Sequence, residues 1–377
     1  MIPGGAIYLD ANATTPLHRE VMAAMMPALA DFFANPSSVH KPGQDARALV
    51  DLAREQCAAA LRCDARELVF TSGGTEADAL ALRGLSPRKI VTTAVEHPAV
   101  LDTCAQLERE GVLVVRVPVL PSGALDLDAL ARALPGAQVC SVMAANNETG
   151  VLFPLAQVAR LCRAAGVPLH TDAVQAAGKA GLPIGDVDLL SLSAHKLEGP
   201  KGVGLLRVRR PLKLAPLLAG GSQEKGRRGG TENVAGIVGL GAALARSVHA
   251  LPEVEPRLRA LRDALEHSVR LIPGAHVAGA SVERVCNTLN VAFEGCDGET
   301  LLAALDLEGI AVSTGSACSS GSLEPSPVLL AMGYPPALAR GAIRFSLWSG
   351  NTRAQIERVC AVLPGIVARA RGGRVRS

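Results

Sequence analysis

The sequence predicts an α/β fold, with a large lobe on a mainly parallel seven-stranded sheet and a smaller α+β lobe after it. Three observations lead there. Between about residues 66 and 208, seven short runs (ELVFT, KIVTTA, VLVVRV, QVCSVM, VPLH, DLLSLSA and VGLLRV) read as strands. Amphipathic stretches at 74–85, 98–110 and 154–165 lie between several of them and are long enough for the crossovers that parallel strands require. The chain of 377 residues also exceeds a typical single domain. We place the large lobe at 15–250 and the small lobe at 1–14 and 251–377.

Residues 235–250 and 253–271 read as two long helices, after which strands are fewer and more separated: NTLNVAF, GIAVS and AIRFSL. The one Ser/Gly-dense stretch, STGSACSSGS at 313–322, reads as a mobile loop. Apolar residues make up 49% of the chain but aromatics only 2%, so the core must be built mainly from Ala, Val, Leu and Ile.

A net charge of +3 supplies no electrostatic footprint for nucleic acid, although Arg227-Arg228 and the Arg-rich tail are local basic spots. The start, MIPGGAIYLDANATTP, lacks the basic end and apolar run of a signal peptide. No apolar stretch is expected to approach the roughly 18–20 residues that span a bilayer. A cytoplasmic protein without a membrane partner is the expectation. Nine cysteines, an odd number with no CxxC pair, argue against a disulfide framework and a cysteine-built zinc site. Cys57 and Cys360 read as packing residues in helices.

Seven lysines narrow the search for a carbonyl-binding amine. Lys196 follows the strand DLLSLSA, at an edge where an α/β sheet opens its ligand crevice. Its plain alternative is a surface lysine beside a turn. VFTSGGTEADAL is a strand, a glycine turn and a helix start, gathering free N–H groups for a phosphate around Gly74 and Thr75. It is neither a Walker motif nor a GxGxxG fingerprint, and Thr75 as an N-cap is the simpler reading. Asp172 ends another strand, where a carboxylate can pair with a pyridinium nitrogen; Gln175 and Asn147 can reach a ring oxygen, or serve as turn residues. His97 precedes a helix-starting proline, placed to stack on a flat cofactor or to cap the helix. Arg344 can clamp a carboxylate with its fork, or form a structural ion pair. Cys318, a thiol in a Gly/Ser segment, suits a nucleophile that must visit two places; an incidental surface cysteine is its alternative.

Taken in order, YLDANATTP, NPSSVH, VFTSGGTEA, EHPAVL, ANNETGV, HTDAVQ, SAHK, GPKGVG, GGTEN, STGSACSSGSLEPS and IRFSL resemble the cysteine desulfurases of the class V aminotransferase superfamily. The likeness runs from Asp10 to Leu347. EHPAVL, ANNETGVLFPL and GRRGGTEN are most similar to the nitrogenase-associated NifS branch, with the housekeeping iron–sulfur enzyme as near kin. The resemblance implies fold type I of the pyridoxal-phosphate transferases and conversion of L-cysteine to L-alanine, with a persulfide left on Cys318. It implies that Lys196 binds pyridoxal 5'-phosphate covalently, Asp172 pairs with the pyridine nitrogen, Gln175 and Asn147 contact the ring oxygen, and His97 stacks on the ring and manages protons. Gly74, Thr75, Ser193 and His195 would hold the phosphate, with Thr231 from the second subunit of a homodimer. Arg344, with Asn147, would hold the substrate. The sulfur would pass to an iron–sulfur scaffold or other acceptor, with Cys318 a transient ligand of a [2Fe-2S] cluster during transfer.

Two positions depart from the pattern: Ser222 stands where relatives usually carry His, and Ala194 replaces the common Gly before His195. The tail is also shorter than theirs, which bears on docking of a scaffold. A selenocysteine lyase or aminotransferase on the same fold, and a non-catalytic sulfur carrier, are the rival readings; the cysteine segment disfavours the first and the intact cofactor residues the second.

Overall fold

A computed structural model describes residues 5–314 and 324–372. Its elements begin with β1 (Ile7–Tyr8), α1 (Arg19–Ala30) and α2 (Lys41–Ala60). The large sheet then builds up through β2 (Leu68–Thr71), α3 (Gly74–Arg83), β3 (Lys89–Thr93), α4 (Pro98–Arg109), β4 (Leu113–Val117) and α5 (Leu127–Ala133). It continues with β5 (Val139–Ser141), α6 (Leu155–Ala165), β6 (Leu169–Asp172), β7 (Leu189–Ser193) and β8 (Gly204–Val208). After α7 (Val234–Arg270) come β9 (Ala275–Val277), β10 (Thr288–Phe293), α8 (Gly298–Leu307) and β11 (Ile310–Ala311). The last elements are α9 (Pro327–Ala331), α10 (Pro336–Ala339), β12 (Ala342–Ser346) and α11 (Arg353–Gly372).

The seven strands read from the sequence form one sheet in the order β2-β8-β7-β6-β5-β3-β4. β4, β3, β5, β6 and β7 run parallel to one another, while β8 is antiparallel to both β7 and β2. β2 therefore points the same way as β7. The chain leaves β3 toward β4 on one side and returns to β5 on the other, so the order reverses at β3 and β5. That switch point opens a crevice at the carboxyl ends of the strands. Burial on both faces explains why the strands read as continuous apolar runs: β2, β5, β6, β7 and β8 are buried at every position.

Local chemistry sets the helix ends. His97 caps α4, accepting from the Ala99 N–H at 3.1 Å, and Pro98 follows at the first helical position, where its missing N–H costs nothing. Asp126 and Asp297 cap α5 and α8 in the same manner. Gly166 closes α6 in the left-handed region at φ 68°.

The second part of the chain makes two small sheets, β12-β10-β9 antiparallel and β1-β11 parallel. Ile7 and Leu9 join an apolar cluster with Leu265, Phe293, Phe345 and Val359, apart from the cluster under the large sheet.

One expectation fails here: the two helices at 235–250 and 253–271 are one helix, α7, with Pro252 and Pro256 inside it. Its buried residues stop at Leu244 and resume at Leu258, so the prolines occupy a solvent-facing middle where water can take up the carbonyls they orphan. A second expectation fails with it. By length and composition α7 is apolar enough to cross a membrane, although no such stretch was expected. It packs against α1, α2 and α11, and Cβ atoms at Gly239 and Gly241 would meet Pro200 at 2.7 Å and Ala53 at 3.0 Å.

Candidate active site

Every candidate of the large lobe except Thr231 lies at or just beyond the carboxyl edge of the sheet. Gly74 starts α3 after β2, His97 follows β3, Asn147 follows β5, Asp172 ends β6, Ser193 ends β7, and His195 and Lys196 form the single 3-10 turn after it. The crevice rule applies residue by residue.

The glycine turn is tightly built. A Cβ on Gly204 of β8 would sit 2.5 Å from the Gly73 backbone, so the turn can lie against β8 only because Gly204 has no side chain. A Cβ on Gly74 would meet Val174 at 3.0 Å and Ser193 at 3.6 Å, which brings the start of α3 beside the ends of β6 and β7. Gly73 gives α3 no side-chain cap, so first-turn N–H groups remain for a ligand. Thr75 is exposed at this end.

The Lys196 ammonium donates to the carbonyls of Asn12 and Ala13, the latter at 2.7 Å. The Gln175 amide nitrogen donates to the same Asn12 carbonyl at 2.9 Å. Thr15 anchors this N-terminal segment by donating its hydroxyl to the His195 carbonyl at 2.8 Å, and His195 Nδ1 lies 3.1 Å from the Thr14 hydroxyl. Burial, with Lys196, Lys201 and Lys179 nearby, lowers the His195 pKa to about 4. That imidazole is therefore neutral and can donate one ring N–H.

The Asp172 carboxylate accepts from the Val174 N–H at 2.9 Å. Burial pushes its pKa up, while the charges of His97 and Lys196 and the Val174 hydrogen bond pull it down, so the three side chains share one electrostatic neighbourhood. Behind it lies a buried polar group. His170 bonds Ser141 and Ser191, each at 2.9 Å, and its Nε2 lies 3.5 Å from Asp78. Burial, reinforced by the Asp172 charge, raises the Asp78 carboxyl well above the usual range, and burial lowers His170 to about 3. Both shifts favour the uncharged forms of this buried Asp78–His170 pair.

Arg344 on β12 is 2% exposed and spans the two parts of the chain. It donates to the Asp10 carboxylate at 2.8 Å and to the Asn147 carbonyl at 3.1 Å, while its buried Nε has no hydrogen-bond partner. The ion-pair alternative is thus real, and the buried Nε is left without a hydrogen-bond partner. Glu148, next to Asn147, bonds the Ser326 hydroxyl at 2.5 Å, and burial raises it to about 7.

Thr231 is exposed and lines a different cavity, with Ser72, Gly202 and Arg228. Cys318 and most of its segment lie outside the described residues. Among those described, no group of three or more His, Cys, Asp or Glu is placed to hold a metal ion. Sequence reasoning named neither Asn12 nor Lys179, whose ammonium donates to the Gln175 amide oxygen at 2.8 Å. The YLDANATTP run carried the only signal for Asn12, and nothing in the sequence set Lys179 apart.

An amine, a buried carboxylate and an anion-ready helix start at one sheet edge define the pyridoxal-phosphate fold type I class. The sequence pattern of the Aminotransferase class-V family matches residues 7–359, and the chain belongs to that family. It is 48% identical over 97% of its length to a cysteine desulfurase of Trichormus azollae, covering 94% of that protein. It is 43% identical over 97% of its length to the cysteine desulfurase IscS of Methanosarcina thermophila, covering 93% of that protein. A solved NifS-like protein superposes with a TM-score of 0.91 at 35% identity, over 97% of this chain and 100% of the other. SspA in complex with cysteine does so with a TM-score of 0.81 at 33% identity, over 90% and 98%. The family implies pyridoxal phosphate, and the residues present suit it: the Gly74 cradle, the neutral His195, the Asp172 carboxylate and the Lys196 amine.

Proposed function

We propose that this chain is a cysteine desulfurase that moves the sulfur of L-cysteine onto Cys318 and releases L-alanine. What carries the reading is 48% identity to a cysteine desulfurase along 97% of the chain, in a protein whose lysine, carboxylate and glycine turn converge on one sheet edge. The reaction needs no external oxidant. One C–S and one S–H bond are exchanged for one S–S bond, on a Cys318 persulfide, and one C–H bond, on alanine.

Bound pyridoxal phosphate would supply the electron sink that loosens the bonds around the substrate α-carbon. The chain's residues would do the rest. Lys196 would hold the cofactor covalently, and its amine would carry the substrate α-proton. Asp172 keeps a positive pyridine nitrogen charged, and Gln175 and Asn147 bind the ring oxygen. Gly74, Thr75, Ser193, His195 and the partner subunit's Thr231 take the phosphate, so the site would be complete only as a homodimer. Arg344 would hold the substrate carboxylate with its planar fork. His97 stacks on the ring and shuttles protons.

Sulfur transfer falls to Cys318. Six of the eight described cysteines are buried. Burial raises Cys57 and Cys104 to about 12 and Cys286 to about 11, which keeps those thiols protonated and poor nucleophiles. We further propose a cytoplasmic location, delivery to an iron–sulfur scaffold, that of nitrogenase included, with Cys318 as a passing [2Fe-2S] ligand, and a two-lobe division at residue 250. The apolar cluster of Ile7, Leu9, Leu265, Phe345 and Val359 supports the last, although Ala278, Val285 and Leu329 pack with the large-lobe cluster. Borohydride reduction and peptide mapping test the cofactor assignment. Label on Lys196 supports it, and label on another lysine overturns it.

A further inference from the structure

Lys179 is 8% exposed, and the reaction described above does not use it. Its ammonium donates at 2.8 Å to the Gln175 amide oxygen, four residues earlier. An ammonium has donors only, so it accepts one orientation of that amide, with the oxygen toward Lys179 and the nitrogen away from it. The nitrogen then donates one hydrogen to the Asn12 carbonyl at 2.9 Å and has a second hydrogen to give.

We infer that Lys179 is a positioning residue that locks the Gln175 amide so that an N–H, and not a carbonyl oxygen, faces the cofactor's phenolic oxygen. The inference rests on the proposed cofactor site. A phenolate meeting an N–H is stabilised, whereas one meeting an amide oxygen is repelled, so the lock sets the basicity of the cofactor. Among the described residues, no carboxylate bonds Lys179 in return. Lys196, Arg344 and Cys286 lie near it, and Glu255, Arg259, Glu283 and Arg284 line with it a cavity of about 180 Å³. Burial, with the Lys196 charge, lowers its pKa to about 7. Burying an amine this deeply is costly for packing alone.

The test is a pH titration of the visible absorption band of the holoenzyme in wild type, Lys179→Met, Lys179→Arg, Gln175→Ala and the Gln175→Ala/Lys179→Met double variant. Lys179→Met should still carry cofactor on Lys196 by borohydride mapping, and its band midpoint should rise by about one pH unit. Lys179→Arg, which keeps a charged donor, should stay nearer wild type and carries the test if the Met variant does not fold. In the Gln175→Ala background the substitution of Lys179 should add little. An unmoved midpoint in Lys179→Met, or the same shift with and without Gln175, would overturn the inference. Cofactor missing from Lys196 in wild type would instead overturn the underlying site.

Discussion

Arg344 and Asp10 form an ion pair at 2.8 Å that ties β12 to the N-terminal segment at the mouth of the crevice. The side chain expected to hold substrate already has a resident partner, and its buried Nε has none. A lysine there would keep the charge but lose the fork. Arg344→Lys should raise the KM for cysteine by about 10- to 100-fold, the worth of a charge-assisted pair, with a smaller change in kcat. Steady-state alanine formation checks this.

The glycine turn should be intolerant at a position that touches no ligand. Gly204→Ala puts a Cβ 2.5 Å from the Gly73 backbone, so the turn before α3 must move. Overpacking of this kind costs about 1–3 kcal/mol. The variant should fold with a lowered Tm and lose pyridoxal phosphate on dialysis faster than wild type, as followed by its visible absorbance.

Two buried glutamates predict a pH dependence of stability. Burial lifts Glu96 from 4.5 to about 8 and Glu148 to about 7. Their folded-state pKa values exceed the unfolded ones, so their contribution is full below pH 4.5 and is lost as pH rises through 7 and 8. Lys179, lowered to about 7, works in the opposite sense above that pH, so the clean comparison is between wild type and one variant. Glu96→Gln stays neutral throughout. It should match wild type at pH 4 and melt roughly 2–4 °C higher at pH 9.

The sequence exposed most of the frame because most strands of the large sheet, edge strand β4 excepted, are buried on both faces and stand out as short apolar or β-branched runs. Strand order stayed hidden. Nothing local marks β8 as the antiparallel insertion that seats Gly204 against Gly73. The merger of two expected helices into α7 was hidden for a similar reason: what makes Pro252 tolerable is its exposed place between two cores, a tertiary fact. Asp172, His97 and Lys196 were legible because strand ends announce themselves by composition. Asn12, Lys179 and the Asp78–His170 pair were not, because their roles are contacts with groups at least four positions away and as far as 184.

The account's central claim is the division of labour between Lys196 and Cys318. The most direct test is peptide mass mapping after mixing the holoenzyme with L-cysteine and no reductant. The account predicts one added sulfur on the Cys318 peptide in wild type, matched by one alanine, and none in Lys196→Ala. Added sulfur on any of the other eight cysteines, or wild-type alanine and sulfide production by Cys318→Ala, would contradict it.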